Sequence, residues 1–196
     1  MIEELSRELT LLEYMILGLI GAGSRSGYDI MSVLEGDVHR LSASPGSIYP
    51  ALKRMEKNKL IAGQIEVIHE TRPRKTYSIT PLGETLLDRW VRSPLPVIGY
   101  REEFEVFMTR FLFTANRLTQ AELVEWLETC EKTIEQYNLP RQNFLELLRS
   151  TAPIHQQLVW EAKLMELKMQ RDWVRMARER ILAEDTQQSI TTTSKQ

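Results

Sequence analysis

The sequence predicts a mainly helical chain with one small β-hairpin, divided into two halves. Three observations carry that reading. Apolar residues recur at helical spacing along most of the 196 residues, as in Leu82, Leu86 and Trp90, or Leu123, Leu127, Cys130, Ile134 and Tyr137. One region only alternates as strands do, Gly63 to Glu70 followed by Lys75 to Ile79. Ser93-Pro94-Leu95-Pro96 puts two prolines within three residues, which stops a helix and separates residues 1–92 from 98–184.

Composition narrows the class. With 42% hydrophobic and 27% charged residues the chain is expected to fold, not to be disordered. A single cysteine, Cys130, excludes an intramolecular disulfide and a cysteine-based zinc site. The start, MIEELSREL, lacks the basic-then-apolar order of a signal peptide, and the longest apolar stretch, Tyr14 to Gly23, is too short for a bilayer. A soluble cytoplasmic protein without membrane association is expected. His39, His69 and His155 have no ligand spacing, so neither metal nor cofactor is expected. No Ser/His/Asp or carboxylate constellation and no phosphate-cradling glycine loop argues for an enzyme.

In the first half, Thr10-Leu11-Leu12-Glu13 is a capping box that opens a helix apolar nearly all round. Ser26 caps a second helix, Tyr28 to Glu35, with Ile30, Met31 and Leu34 inward and Gly36 at its end. A third lies within Ser44 to Lys59, with Ile48, Leu52 and Met55 on one face. Its start is open between Ser44-Pro45 and Ser47. Pro50, which suits a first turn, favours Ser47 as N-cap. The hairpin follows, with Ile65 and Val67 on one face of its first strand, Tyr77 and Ile79 inward on its second, and Thr71-Arg72-Pro73-Arg74 as a basic turn. Thr80-Pro81 starts a fourth helix.

The second half is expected to be all helix. Glu102 to Ala115 carries Phe104, Phe107 and Phe111. Thr119-Gln120-Ala121-Glu122 is another capping box, Pro140 is expected to end the helix it opens, and a short helix spans Phe144 to Leu148. The last helix, about Ile154 to Ala183, has two apolar stripes when residues are placed about 100° apart. Leu164, Leu167, Val174 and Ile181 lie within about 60° of Trp160. Leu158, Ala162, Met165, Met169, Trp173 and Met176 cluster on the opposite side. Such a helix must be covered twice, by its own domain and by a second chain. Spacing leaves open which stripe meets the partner, so Leu158, Trp160, Leu164, Met165, Leu167, Met169, Trp173 and Met176 are all dimerisation candidates. The polar tail, 185–196, is expected to be disordered.

Charge is uneven. Arg40 to Lys75 holds eight basic and three acidic residues, a net of +5, while the whole chain is −2. Three helices and a hairpin with a basic tip are the parts of a winged helix-turn-helix, whose second motif helix enters a DNA major groove. The third helix has the required polarity, apolar inside and Ser, Tyr, Lys and Arg outside.

Three blocks then resemble the PadR family of bacterial transcriptional regulators: Gly27-Tyr28-Asp29-Ile30, Gly46-Ser47-Ile48-Tyr49-Pro50-Ala51-Leu52 and Tyr77-Ser78-Ile79-Thr80-Pro81-Leu82-Gly83, in order and properly spaced over residues 9–90. The helical second half resembles in architecture the dimerisation region of the longer, virulence-activator-like subfamily. The resemblance implies a winged helix-turn-helix domain followed by an all-helical dimerisation domain. It also implies a homodimeric regulator, usually a repressor, on a palindrome-like operator in double-stranded DNA. Ser47, Tyr49, Lys53 and Arg54 match the DNA-reading helix, with Ser44 at its start, and Arg72, Arg74 and Lys75 match the wing. Lys57 and Lys59 depart from the family's pattern. Any small-molecule effector, of unspecified identity, would act by changing the separation of the two DNA-binding heads. The competing expectation is a winged-helix protein–protein adaptor that does not bind DNA.

Overall fold

Thr10 opens α1 (Leu11–Gly21) with the expected reciprocal cap: its hydroxyl accepts from the Glu13 N–H, and the Glu13 carboxylate accepts from the Thr10 N–H. In the computed structural model, which describes residues 8–23, 26–35, 44–67, 73–93 and 101–193, the chain forms two units, Met1–Ser93 and Pro94–Gln196. Among the described residues, no helix is long and apolar enough to cross a membrane.

The first unit is built around α1. Met15, Ile16 and Leu17 are fully buried, as their nearly all-apolar surroundings in sequence require. Ile30 and Leu34 of α2 (Gly27–Glu35) are buried, and so are Ile48, Ala51, Leu52 and Met55 of α3 (Pro45–Lys57). Each large side chain so removed from water contributes roughly 1.5–3 kcal/mol. Strands β1 (Ile61–Val67) and β2 (Pro73–Ile79) pair antiparallel, Ile61 opposite Ile79 and Val67 opposite Pro73. Ser26 adds an isolated bridge to Thr76. Thr80 caps α4 (Pro81–Arg92) by accepting from the Gly83 N–H, and its own hydroxyl donates to the Lys59 carbonyl at 2.7 Å.

Two details differ from expectation. Helix α3 starts earlier, with Ser44 as N-cap and Pro45 in the first turn. Ser47 is inside the helix, and its N–H and hydroxyl both donate to the Ser44 carbonyl. Pro50 is tolerated because it is exposed and removes a single bond, the one to the Gly46 carbonyl. In the hairpin, β1 begins at Ile61 instead of Gly63, and Ile65 on its first strand is 72% exposed. Ile65 shares its face with Ile61, but at that face the core ends near the hairpin's root, where Ile61 is buried.

The second unit is a three-helix assembly of α5 (Arg101–Leu112), α6 (Gln120–Thr151) and α7 (Ile154–Thr193). The Thr119–Glu122 capping box opens α6 as expected. Phe104, Phe107, Leu127, Cys130, Ile134, Leu167, Val174 and Ala177 form the core. Phe107 stacks on Trp126 with centroids 4.5 Å apart, and Trp173 meets Phe111 edge-on at 5.1 Å. Burial pushes the Cys130 thiol up to about 12, so it is an inert packing group. Glu131 ties α6 to α7 through Arg175 at 2.8 Å and Arg178 at 2.9 Å.

Pro140 does not end α6, and Phe144 to Leu148 belongs to that same helix. Buried Ile134 and Leu145, three turns apart on one face, hold the helix on both sides of the exposed proline. The segment 185–196, expected as a disordered tail, instead continues α7 as far as Thr193, since neither proline nor glycine interrupts it. The two stripes of α7 separate. Leu167 and Val174 are buried in the unit's core, and Trp160 packs edge-on against Phe144 at 4.8 Å. Leu158, Met165, Met169 and Met176 are exposed. Trp173, assigned by spacing to the exposed stripe, is drawn into the core by the three phenylalanines of α5.

At the start of α2, Ser26 and Asp29 cap each other, and the Arg74 guanidinium donates to both side chains, tying β2 to α2. Partial burial pushes the Asp29 carboxyl up, but the hydrogen bonds from Ser26 and Arg74 outweigh it and hold the group below its ordinary 3.8. A depressed carboxyl stabilises the fold above its ordinary value and loses that contribution as pH falls through the lowered one. Asp29→Asn should therefore cost less than about 1 kcal/mol near neutrality, because the pair is partly solvated. The difference from wild type should shrink as pH falls below the ordinary 3.8 and through the lowered value, measured by urea unfolding. A larger effect is expected at Gly83, where a Cβ would lie 2.2 Å from the Leu60 carbonyl oxygen. Backbone cannot move aside as a flexible side chain does, so Gly83→Ala should destabilise the first unit by about 2–3 kcal/mol in thermal unfolding.

Candidate nucleic-acid interface

The geometry of the candidate surface follows from the packing of α3. With Ile48, Ala51, Leu52 and Met55 fully buried, the helix turns Tyr49, Lys53, Arg54 and Lys57 outward. Ser44, Pro45 and Gly46 are exposed at its start. Pro45 has no N–H, and those of Ser47 and Ile48 turn back onto the Ser44 carbonyl at 2.8 and 3.1 Å. Few donors are left at this helix end to attract an anion, so side chains must supply most of the positive potential.

Tyr49 packs against the start of α2. Its ring lies over Gly27, where a Cβ would come 2.8 Å from the ring's Cε1. The absence of a side chain at Gly27 makes room for the ring against α2, and the ring is still 51% exposed. Tyr28, next to Gly27 in sequence, is 67% exposed. Sequence reasoning did not single out the exposure of Tyr28; its one signal was its place in the Gly27-Tyr28-Asp29-Ile30 block.

The basic residues divide into two groups. Lys53 and Lys57 are exposed and make no ion pair among the described residues. Three other cations expected on this surface are engaged within the protein. Arg54 donates from Nε to Glu13 at 3.3 Å. Arg74 is paired with Asp29, as described above. Lys75 reaches Glu56 of α3 at 2.7 Å and lies 5.5 Å over the Tyr77 ring. Its hydrogen bond to Glu56 raises the Lys75 ammonium above its ordinary range. The pair lies directly over Gly63, where a Cβ would sit 2.4 Å from a Glu56 oxygen. Arg72, the remaining expected wing residue, lies outside the described residues. The structure thus brings Ser44, Ser47, Tyr49, Lys53 and Arg54 onto one end and face of α3, while tethering Arg74 and Lys75 to α2 and α3. A count of charges along the chain cannot detect such pairing, because Glu13 and Asp29 fall outside the basic block.

Comparison with known proteins concerns the same unit. Residues 16–89 match the model of the transcriptional regulator PadR-like family. A curated relative, the negative transcriptional regulator PadR of Bacillus subtilis (strain 168), is 32% identical over 91 residues, which is 45% of this chain. The match covers 50% of that relative, so the chain spans about half the length of the curated protein it matches. Among solved structures, Bacillus subtilis PadR in complex with operator DNA is 24% identical, covering 88% of this chain and 99% of that one, with a TM-score of 0.42. A PadR-like transcriptional regulator from Bacillus cereus is 23% identical with the same coverage and a TM-score of 0.37. Helices α2 and α3, the hairpin and most of α4 fall within the stretch, residues 16–89, that is similar to the transcriptional regulator PadR-like family.

Proposed function

We propose that this chain is a sequence-specific DNA-binding transcriptional regulator, a repressor that acts as a homodimer on a palindrome-like operator. The observation that carries the proposal is the outward face of α3, where buried neighbours on the opposite face fix Tyr49, Lys53 and Arg54 toward solvent. A helix so presented fits a major groove. Lys53, unpaired, supplies phosphate attraction, and Tyr49 supplies a rigid polar-tipped ring. Ser44 and Ser47 stand at the helix end nearest the backbone of a docked duplex. Arg72, Arg74 and Lys75 are wing contacts to phosphate, the last two by sharing their donors with Asp29 and Glu56. Negative regulation is supported by the likeness to the negative transcriptional regulator PadR of Bacillus subtilis.

Homodimerisation is supported by the exposed stripe of Leu158, Met165, Met169 and Met176, an apolar face that a second copy covers. Methionines suit such a face because their flexible thioethers adapt to an opposing surface. Trp160, Leu164, Leu167 and Trp173 belong instead to the support of that face from within.

One observation favours the adaptor reading: Arg54, Arg74 and Lys75 are paired internally. Neutralising Lys53, Arg54, Arg72 and Arg74 together separates the two. The regulator reading expects duplex binding to vanish and its salt dependence to flatten. The adaptor reading expects partner capture to persist unchanged in that variant. For assembly, glutamate at Met165, Met169 and Met176 should yield folded monomers by light scattering, whereas Leu167→Glu should unfold the second unit. A triple variant that stays dimeric would refute the assigned stripe.

A further inference from the structure

We infer that Glu13 is a positioning residue for DNA contact: from α1 it aims the Arg54 guanidinium of α3. The inference rests on the DNA-binding reading and adds to it a residue that never touches the duplex. Glu13 is 1% exposed, although its side chain is a carboxyl. Its Oε2 accepts from the Thr10 N–H at 2.9 Å and the Thr10 hydroxyl at 3.1 Å. Its Oε1 accepts from Arg54 Nε at 3.3 Å. Capping does not require that burial, since the same box at the start of α6 works with Glu122 exposed. A buried carboxylate fixed on one side by a helix N-terminus is a rigid anchor for whatever it holds on the other.

Arg54 is suited to be held. Its side chain is 49% exposed, so one flank faces Glu13 while much of the group meets solvent. Guanidinium is planar, and anchoring Nε fixes the plane in which the two terminal nitrogens lie. Those nitrogens are then a preset edge for two adjacent acceptors, either phosphate oxygens or the O6 and N7 of guanine. A free arginine would have to give up its side-chain freedom on binding; a tethered one has already done so.

Net charge alone predicts the opposite. Removing the Glu13 carboxylate makes the protein more positive and should tighten its hold on a polyanion. The sign of the Glu13→Gln effect therefore decides. Glutamine keeps an oxygen for Thr10 and turns its amide, a donor, toward the Arg54 N–H. The test compares wild type, Glu13→Gln, Arg54→Ala and the double variant. Two duplexes are used: one that the wild-type protein enriches from a random-sequence pool, and a scrambled duplex of equal composition. Positioning expects Glu13→Gln to weaken binding by roughly threefold to tenfold and to add nothing once Arg54 is alanine. A loss shared by both duplexes assigns the edge to phosphate; a loss confined to the enriched one assigns it to a base. Unchanged or tighter binding by Glu13→Gln beside a weakened Arg54→Ala overturns the inference while leaving DNA binding intact. So does a Glu13→Gln loss that adds in full to that of Arg54→Ala. A wild-type chain that enriches no duplex defeats the DNA-binding reading as well. Should Glu13→Gln not fold, Arg54→Lys in the native background decides. Its ammonium lacks the planar edge, so it should bind as poorly as Arg54→Ala; wild-type affinity would show that charge suffices and position does not matter.

Discussion

The burial of one face of α3 governs what the first unit can present to a partner. Ile48, Ala51, Leu52 and Met55 leave water completely. Once they are fixed, helical geometry leaves no choice about where Tyr49, Lys53 and Arg54 point. The hairpin is subordinate to the same core: its root is buried at Ile61, while its far end carries Ile65 into solvent. Thr80 and Gly83 then bring α4 directly onto the Leu60 carbonyl, closing the sheet's root against the helices.

On this scaffold the cations are managed individually. Lys53 and Lys57 are compact charges in water and act at a distance set by salt screening, about 8–10 Å at ordinary ionic strength. Arg54, Arg74 and Lys75 are oriented by carboxylates on other elements, so each ion pair also joins two pieces of the fold. These pairs are partly exposed and contribute modestly to stability. Their larger effect is on geometry. The same device recurs in the second unit, where Glu131 of α6 gathers Arg175 and Arg178 of α7. There it secures the helix whose opposite side leaves the methionine stripe uncovered.

Much of the fold was legible in the sequence, because its strongest signals are local. The Thr10 and Thr119 capping boxes, the Thr80-Pro81 start and the apolar stripe of α3 each need only a few neighbouring residues, and all appear as expected. The errors came where packing overrides local preference. Pro140 weakens α6 but cannot end it while Ile134 and Leu145 are buried on either side. Ser44 caps α3 through its backbone although it makes no side-chain cap bond, which residue type alone does not reveal. Trp173 was placed by angle on the wrong stripe because its large ring reaches the α5 phenylalanines. The candidate site was legible in its residue types and not in its pairing. Glu13, the partner of Arg54, is 41 positions away, and nothing short of the folded chain brings the two together.

Mapping amide chemical shifts of the isotope-labelled protein on addition of a duplex it has selected tests the central claim most directly. The account predicts perturbations concentrated at Ser44 to Lys57, with a second group at the hairpin around Arg74 and Lys75. Perturbations confined to α6 and α7, with α3 unmoved, would contradict it.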